Sequence, residues 1–299
     1  VLPLLNGLKS QFRMVLALLE NNVTIMEFEE RKEIFCDRCG ECRRECRLQM
    51  DAITLTEHGV SIDLAHCNRC GHCAAVCPTG KMDNPYAPMQ EEIMAPPDPD
   101  TALRFLRAPR SVRRYKSKLV PKEVLCRLLD AGRYPPTAKN AQGVEYHIVR
   151  GRENVDRIHA LYDEIVREIS QDDPQYELLI APIRRQAEKK FDALFYEVPQ
   201  LIFAVWAKDK PYDPRSVYLS FSYITLMAPV LGLGTCWCGQ MQRLAERKGI
   251  MPRIATAIGL SEDRHICGCL LVGYPNVRFR RLVQRDPLRV TWSGEVESL

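Results

Sequence analysis

The chain has 299 residues, of which 46% are hydrophobic and 27% charged, and its formal net charge is +4. This length predicts about two domains, and the composition is that of an ordinary globular protein. The small net charge forms no basic stripe, which argues against nucleic acid as a partner. No apolar run approaches the roughly 20 residues that a membrane-spanning helix needs. The 13 cysteines and the lack of an export signal predict a reducing cytoplasm, in an organism that avoids oxygen.

Residues 1–29 form the first predicted segment, a helical extension. Its Leu and Val positions follow an amphipathic helical pattern, with the most apolar run at 14–19. The segment lacks the basic polar face that membrane-surface helices carry. We therefore expect it to pack on the body of the protein or on a partner.

Two runs of cysteines follow, and each has the spacing C-x2-C-x2-C-x3-C. This spacing is typical of thiolates that ligate [4Fe-4S] clusters, and in two-cluster ferredoxins the fourth cysteine of each run binds the other cluster. The sequence therefore predicts two clusters that handle single electrons. One predicted ligand set is Cys36, Cys39, Cys42 and Cys77, and the other is Cys67, Cys70, Cys73 and Cys46.

A disulfide framework or a zinc site would account for these cysteines less well. Disulfide frameworks suit small secreted chains, and zinc sites separate two cysteine pairs by a longer stretch. The first run departs from the ferredoxin pattern because Arg47 stands where proline usually follows the last cysteine. Between the runs, alternating segments at 52–56 and 60–63 predict a hairpin. Residues 30–82 resemble a bacterial-type two-cluster ferredoxin, which implies a small ferredoxin-like domain.

A linker is predicted at residues 83–104, because five prolines fall between positions 83 and 100. Beyond the linker, segments with a helical pattern alternate with segments typical of strands. The helical segments are 122–132, 152–169, 182–195 and 215–231, and the strand-like ones are 145–150, 201–206 and 266–272. The alternation predicts an α+β or α/β domain with a central sheet at residues 105–299.

Four stretches of this second module carry a further pattern. They are PRSVRRY at 109–115, PTAKNAQ at 136–142, LGLGTCW at 231–237, and GYP at 273–275 followed by Arg278, Arg280 and Arg281. In this order they resemble the FMN-dependent nitroreductase family over residues 105–285. Two departures from the family pattern are Pro109 in place of an arginine and Gly143-Val144 in place of Pro-Trp.

The resemblance implies an α+β fold, with helices around a central antiparallel-type sheet, and an intertwined homodimer with FMN at the subunit interface. A flavin phosphate needs guanidinium groups and other donors. The residues expected to bind FMN are Arg110, Ser111, Arg113, Pro136, Thr137, Asn140, Gln142, Gly232, Leu233, Gly234, Thr235, Arg280 and Arg281. No catalytic side chain is expected, because the flavin supplies the chemistry.

From the residues alone, structural roles for the same motifs stay open. The arginines fit a solvated basic patch, the 136–142 loop an Asx turn, and the two glycines a helix C-cap. Aromatic residues at 170–200 either line a lid over the flavin or belong to the core, which is commoner at helical spacing; they are Tyr176, Phe191, Phe195 and Tyr196.

Five further cysteines lie in the second module. On strands, both members of each C-x-C pair would face one side, which allows a metal or disulfide site, but buried apolar cysteine is commoner. The pairs are Cys236 with Cys238 and Cys267 with Cys269, and Cys126 is expected in the core.

The two modules together predict an iron-sulfur flavoprotein oxidoreductase. Electrons from ferredoxin or flavodoxin would pass through the clusters to FMN and then to a small organic acceptor, such as a nitroaromatic, a quinone, an activated alkene or a halogenated phenol. Arginines of the first run (Arg38, Arg43, Arg44 and Arg47) offer a weakly positive surface to an acidic carrier. One alternative is oxidation of NAD(P)H with electrons sent outward to a protein. The other is a non-enzymatic redox sensor or carrier.

Overall fold

The computed structural model describes residues 36–57, 59–82, 84–87, 93–210, 213–247 and 250–294. The helix predicted at 1–29 lies outside these ranges. The chain divides into two compact units, Val1–Gln90 and Glu91–Leu299. Within the described ranges, no helix is long and apolar enough to cross a membrane.

The first unit contains a two-stranded hairpin and two short helices. The strands β1 (Ile53–Thr56) and β2 (Gly59–Ile62) pair antiparallel, as the alternating segments predict. The helices are α1 (Glu41–Arg47) and α2 (His72–Ala75), and each begins after a glycine with positive φ. The small core consists of Ile53, Met82 and the third cysteine of each run, Cys42 and Cys73.

The second unit is built on a four-stranded antiparallel sheet with the order β3-β4-β6-β5. In chain order its elements are α3 (Pro99–Arg107), α4 (Lys122–Asp130), β3 (Glu145–Arg150), α5 (Arg152–Glu168), α6 (Tyr176–Lys189), β4 (Gln200–Ala207), α7 (Pro214–Met227), β5 (Gly234–Trp237), α8 (Gly239–Ala245), α9 (Met251–Ala257) and β6 (Arg264–Gly273). Short 3-10 turns at Ala131–Arg133, Ala138–Asn140 and Ala228–Leu231 complete it.

Helices cover both faces of the sheet. Buried residues of α5, α6, α8 and α9 pack on one face, and those of α4 and α7 pack on the other. All eight residues of β4 are buried, which explains why this strand is a continuous apolar run and does not alternate. The α+β class with a central antiparallel sheet, predicted from the sequence, is confirmed.

Two helices differ from the sequence prediction. The helix expected at 182–195 occupies Tyr176–Lys189, so Pro182 lies inside the helix and does not begin it. The missing N–H of Pro182 leaves only the carbonyl of the half-exposed Leu178 without its helical donor, where water can serve. Helix α3 begins within the predicted linker because Pro99 occupies its first turn and Asp98 accepts hydrogen bonds from two backbone N–H groups.

In the second unit, the exposure of one cysteine and the facing of one C-x-C pair differ from expectation. Cys126 is exposed on α4, not buried in the core. Cys267 and Cys269 pack into cores on opposite faces of the sheet. The reason is a bulge in β6, where the register against β4 shifts between Ala204 and Val205, so that the two side chains no longer point the same way.

A buried carboxylate organises the loop between α6 and β4. Asp192 Oδ1 accepts hydrogen bonds from the backbone N–H groups of Leu194 and Phe195 at 3.0 and 2.7 Å, and its Oδ2 accepts one from Glu197 at 3.0 Å. His159 on α5 places Nε2 3.2 Å from Asp192 Oδ1, a contact that is an ion pair and not an aligned hydrogen bond.

The ion pair shifts both pKa values. Burial acts to lower the pKa of His159, but contact with the Asp192 carboxylate outweighs burial and raises the pKa above its ordinary 6.5. Burial acts to raise the pKa of Asp192, but His159 and the backbone donors lower it from 3.8 to about 2. The stabilisation is therefore complete only between pH 3.8 and 6.5. It is lost above this window as His159 deprotonates and below it as Asp192 protonates.

We expect Asp192→Asn to lower the free energy of unfolding by about 2 kcal/mol, because the substitution removes the closer of the two carboxylates beside the buried His159 imidazolium and leaves only Asp163, 3.6 Å from Nδ1. The loss, measured by urea denaturation across pH, should be largest between pH 3.8 and 6.5 and should shrink on either side. Asp156→Asn, which removes an exposed partner of Arg152 on the same helix, is the control and should cost at most about 0.5 kcal/mol. A pH-independent difference would contradict the role assigned to the ion pair.

Candidate functional site

The first unit contains two cavities whose walls carry cysteine sulfurs. The Cys39 cavity spans about 390 Å³, part of it open to solvent, and its lining includes Cys36, Cys39, Cys42 and Cys77. The Cys70 cavity spans about 370 Å³, also partly open to solvent, and its lining includes Cys46, Cys67, Cys70 and Cys73. Among the described residues, no three His, Cys, Asp or Glu side chains lie close enough together to hold one metal ion. The cysteine sulfurs are therefore spread around the wall of each cavity and do not converge on one point. A cubane cluster, in which each thiolate binds its own iron, suits such walls.

The two runs reach this arrangement by the same local fold. Arg38 and Arg69 stand at equivalent positions with φ of 54° and 60°, and the glycines two residues later have φ of 80° and 77°. These left-handed residues wrap each loop around its cavity before the following short helix turns the third cysteine inward. The fourth cysteine comes from the other run, Cys46 from α1 and Cys77 from the loop after α2.

Backbone N–H groups donate to the sulfurs of both cavities. The repeated loops supply Arg38 N to Cys36 Sγ at 3.3 Å and Arg69 N to Cys67 Sγ at 3.4 Å. The fourth cysteines receive Ala52 N to Cys46 Sγ at 3.3 Å and Met82 N to Cys77 Sγ at 3.4 Å. Such donors favour thiolates and tune the potential of a bound cluster.

The sequence analysis missed one residue at the Cys70 cavity. Asn84 is 1% exposed, and its Nδ2 lies 3.7 Å from Cys67 Sγ and 3.6 Å from Cys73 Sγ. The Asn84-Pro85 dipeptide is a turn-initiating signal in the sequence, but it lies within the segment that the prolines predict to be a linker. Burial raises the pKa of the Cys73 thiol, and the Asn84 donor acts in the opposite direction.

The second unit contains a larger cavity, the Arg110 cavity, of about 820 Å³. Five residues expected to bind a flavin line it: Arg110, Gly232, Leu233, Gly234 and Thr235. Ser111 forms a parallel bridge with Thr235, and the N–H of Val112 donates to the Thr235 carbonyl at 2.9 Å. One isolated bridge and one backbone hydrogen bond thereby hold the segment 110–112 beside β5.

The C-terminal arginines fall differently from the prediction. All three arginines are exposed, and Arg278 lines the Arg110 cavity, whereas Arg280 and Arg281 lie outside its lining. Arg113 also points elsewhere, with its guanidinium 5.8 Å from the centre of the Tyr196 ring. Tyr196 belongs to the loop that Asp192 organises, so that loop contacts the 109–115 motif directly.

The 136–142 motif lies at a separate cavity of about 590 Å³, the Thr137 cavity. Its lining includes Thr137, Gln142, Arg133 and Ser216. The N–H of Gln142 donates to Thr137 Oγ1 at 3.1 Å and closes the turn. Asn140 lies within this turn, half-buried, and Pro136 is exposed at its start. The Thr137 and Arg110 cavities share no lining residue.

The aromatic residues considered for a lid separate into different environments. Phe195 is fully buried in the core and Tyr176 packs against that core. Phe191 is 40% exposed. Tyr196, which contacts Arg113, is therefore the member of this group with a direct connection to a motif residue.

Two domain families match the chain. Residues 106–274 match the nitroreductase family, and residues 35–81 match the 4Fe-4S dicluster domain. Both matches agree with the families that the motifs indicate. No curated protein sequence matches the chain.

Solved structures with similar folds include nitroreductases with bound FMN. The one from Desulfitobacterium hafniense DCB-2 is 18% identical, with 67% of this chain and 100% of that chain covered and a TM-score of 0.50. The one from Bacteroides fragilis NCTC 9343 is 20% identical, with 63% and 97% covered and a TM-score of 0.49. An FMN-dependent nitroreductase from Clostridium difficile R20291 is 21% identical, with 62% and 92% covered and a TM-score of 0.44.

Gly234 is expected to tolerate no side chain, because an added Cβ would lie 2.4 Å from Val112 Cγ2. Gly234→Ala should lower the free energy of unfolding by about 1–3 kcal/mol through overpacking. Gly239→Ala is the matched control, since nothing lies within 4 Å of its added Cβ at the start of α8. Thermal unfolding of both variants checks this, and equal losses would contradict the assignment of a close backbone approach at Gly234.

Proposed function

This chain belongs to the nitroreductase family, and we propose that it is an iron-sulfur flavoprotein that takes electrons from a protein donor and reduces a small organic acceptor. The family match confirms the relationship that the four motifs predict, and with it the prediction of an oxidoreductase. The observation that carries the proposal is the pair of cysteine-lined cavities in the same chain as this family's domain. When bound, each cluster exchanges one electron and FMN accepts one or two, which connects a one-electron donor to a two-electron reduction.

Two [4Fe-4S] clusters fit the first unit on the chemistry of the donors. Each cavity presents four thiols and backbone N–H groups directed at sulfur, which are the ligands and the hydrogen bonds that such clusters use. In the proposed assignment the Cys39 cavity is formed by Cys36, Cys39, Cys42 and Cys77, and the Cys70 cavity by Cys46, Cys67, Cys70 and Cys73.

FMN is proposed to bind at the Arg110 cavity. Arg110 and Arg278 supply guanidinium groups for a phosphate, and Gly232 and Gly234 let the backbone approach a planar ring closely. The FMN-bound structures with a similar fold support the assignment. Buried Thr235 fixes the cavity wall through the Thr235 carbonyl and through its hydroxyl, which donates to Thr225 Oγ1 at 3.3 Å.

A homodimer is proposed because the flavin motifs are divided between two separate cavities. One subunit would supply Arg110 and the partner would supply the Thr137 turn. Exposed apolar side chains on α7 and in the C-terminal segment provide surface for such an interface; they are Tyr218, Leu219, Tyr223, Phe279, Leu288 and Trp292. Apolar surface of this kind is typical of an interaction site.

Subunit complementation tests the shared site. Arg110→Glu and Thr137→Glu are each expected to abolish FMN binding, because one places an anion near the phosphate and the other disrupts the turn. Co-expressed with different affinity tags, the two variants should form heterodimers in which one of the two sites has neither substitution. FMN fluorescence after heat release should then return to about half of the wild-type content per subunit. Absence of recovery in purified heterodimers would contradict a site built from two subunits.

The electron donor is proposed to be an acidic carrier such as ferredoxin or flavodoxin. Cys39 is exposed, and Arg38, Arg43 and Arg47 of the same run are exposed as well. Arg44 is instead paired with Glu41, so its charge is offset. A positive surface beside a redox centre raises the association rate with an acidic partner, most strongly at low salt.

We expect Arg43→Glu/Arg47→Glu to slow anaerobic reduction by ferredoxin about tenfold at low salt, while reduction by dithionite stays unchanged. Arg157→Glu/Arg167→Glu, an equal charge change at two exposed positions of the second unit, is the control and should have little effect. Stopped-flow absorbance follows both reactions, and raising the salt concentration should reduce the difference. Equal rates for wild type and double variant with ferredoxin would eliminate this docking surface.

Separate anaerobic reductions with ferredoxin, NADH and NADPH test the direction of electron flow. The proposal expects ferredoxin to reduce the flavin and the nicotinamides to fail. If a nicotinamide reduces the flavin before the clusters, the electrons run outward to a protein and the proposal is wrong.

A further inference from the structure

The turn that follows the second cysteine run belongs to the Cys70 cavity. The N–H of Ala87 donates to the Asn84 carbonyl at 2.9 Å, which closes a four-residue turn with Pro85 at its second position. This turn packs on the loop of the second run at two points. The Arg69 guanidinium lies 5.9 Å from the centre of the Tyr86 ring, and Ala87 Cβ is 3.4 Å from where a Cβ on Gly71 would be.

The orientation of the Asn84 amide follows from its hydrogen bonds. Its Oδ1 accepts from the N–H of Tyr86 at 3.0 Å, so Nδ2 is the atom directed into the cavity. There Nδ2 contacts Cys73 Sγ at 3.6 Å and Cys67 Sγ at 3.7 Å, within reach of hydrogen bonds to sulfur. The two N–H groups of this buried amide face two cysteine sulfurs, and its oxygen accepts a backbone hydrogen bond. The amide therefore has few other orientations.

The Cys39 cavity has a different side-chain donor. Thr79 Oγ1 lies 3.5 Å from Cys77 Sγ, on the exposed side of that cavity. A solvent-exposed hydroxyl can rotate to water, whereas the Asn84 amide is buried and held at its oxygen. The buried amide is therefore a fixed side-chain donor that belongs to the Cys70 cavity.

We propose that Asn84 is a positioning residue that raises the reduction potential of the cluster in the Cys70 cavity. The inference rests on the two clusters of the proposed function. Reduction adds negative charge that spreads onto the ligand sulfurs, and N–H donors stabilise that added charge more than they stabilise the oxidised state. An electron on the cluster of the Cys70 cavity is then held more strongly than it would be without the Asn84 donor.

The test is a redox titration of the full-length, anaerobically reconstituted protein, followed by electron paramagnetic resonance of the reduced clusters. Asn84→Leu keeps the branched shape but has no donor, and Asn84→Ser keeps one smaller donor. We expect Asn84→Leu to shift the reduction equilibrium of one cluster about tenfold toward the oxidised form, which is ~59 mV for one electron. Asn84→Ser should shift the same cluster in the same direction by less.

Thr79→Val is the matched control for the other cavity. It should lower the potential of the second signal slightly and leave the signal that responds to Asn84 unchanged. This crossed response separates an effect of Asn84 on its own cavity from a general loosening of the first unit.

The inference is overturned if both Asn84 variants contain as much iron as wild type and their cluster potentials do not change. Loss of one cluster from both variants would overturn it as well, because Asn84 would then be needed for assembly and not for the potential. If the wild-type protein holds no clusters after reconstitution, the proposed function itself is wrong. The failure of one proposal is therefore distinguishable from the failure of the other.

Discussion

The crossing of the fourth cysteine is the constraint on which the first unit depends. Each cavity takes three cysteines from one run and one from the other, so neither cavity can form until both runs are in place. The apolar core of the described part of this unit is small, and two of its buried members, Cys42 and Cys73, are themselves cavity residues. Packing of so small a core stabilises the fold only weakly. On the proposed assignment, cluster binding and folding of the unit are the same event.

Local sequence patterns predicted the parts of the structure that depend on local interactions. The strand at 145–150 forms as expected, and the spacing of each cysteine run gathers three sulfurs at one cavity because the loop is short. The predictions failed where a tertiary contact decides the outcome. Strand β5 is only four residues long and begins with Gly234, so its propensity is weak, and its pairing with β6 makes it a strand. The bulge in β6 likewise leaves no signal in the C-x-C spacing of Cys267 and Cys269.

The candidate sites likewise divide into features that local motifs predict and features that only the tertiary fold decides. The motifs locate Arg110 and the glycines of the Arg110 cavity, because each motif is a contiguous piece of its wall. They do not locate Arg278 in preference to Arg280 or Arg281, since only the folded path of an irregular segment decides which arginine reaches the cavity. Nor do they show that the 136–142 turn lies at a different cavity. That separation is a property of the fold, and it gives the proposed homodimer a physical reason: each cavity of a single subunit presents only part of the flavin motifs.

The proposed function gives the two cavities of the first unit different tasks. The exposed Cys39 and its exposed neighbour Arg38 belong to the loop of the Cys39 cavity, whereas the buried amide donor lies at the Cys70 cavity. On the proposed roles, a carrier that docks beside Cys39 would deliver its electron first to the cluster of the Cys39 cavity, and Asn84 would act on the cluster that receives it next. Charge that attracts a donor and polarity that holds its electron thus belong to different loops, so that each can change without altering the other.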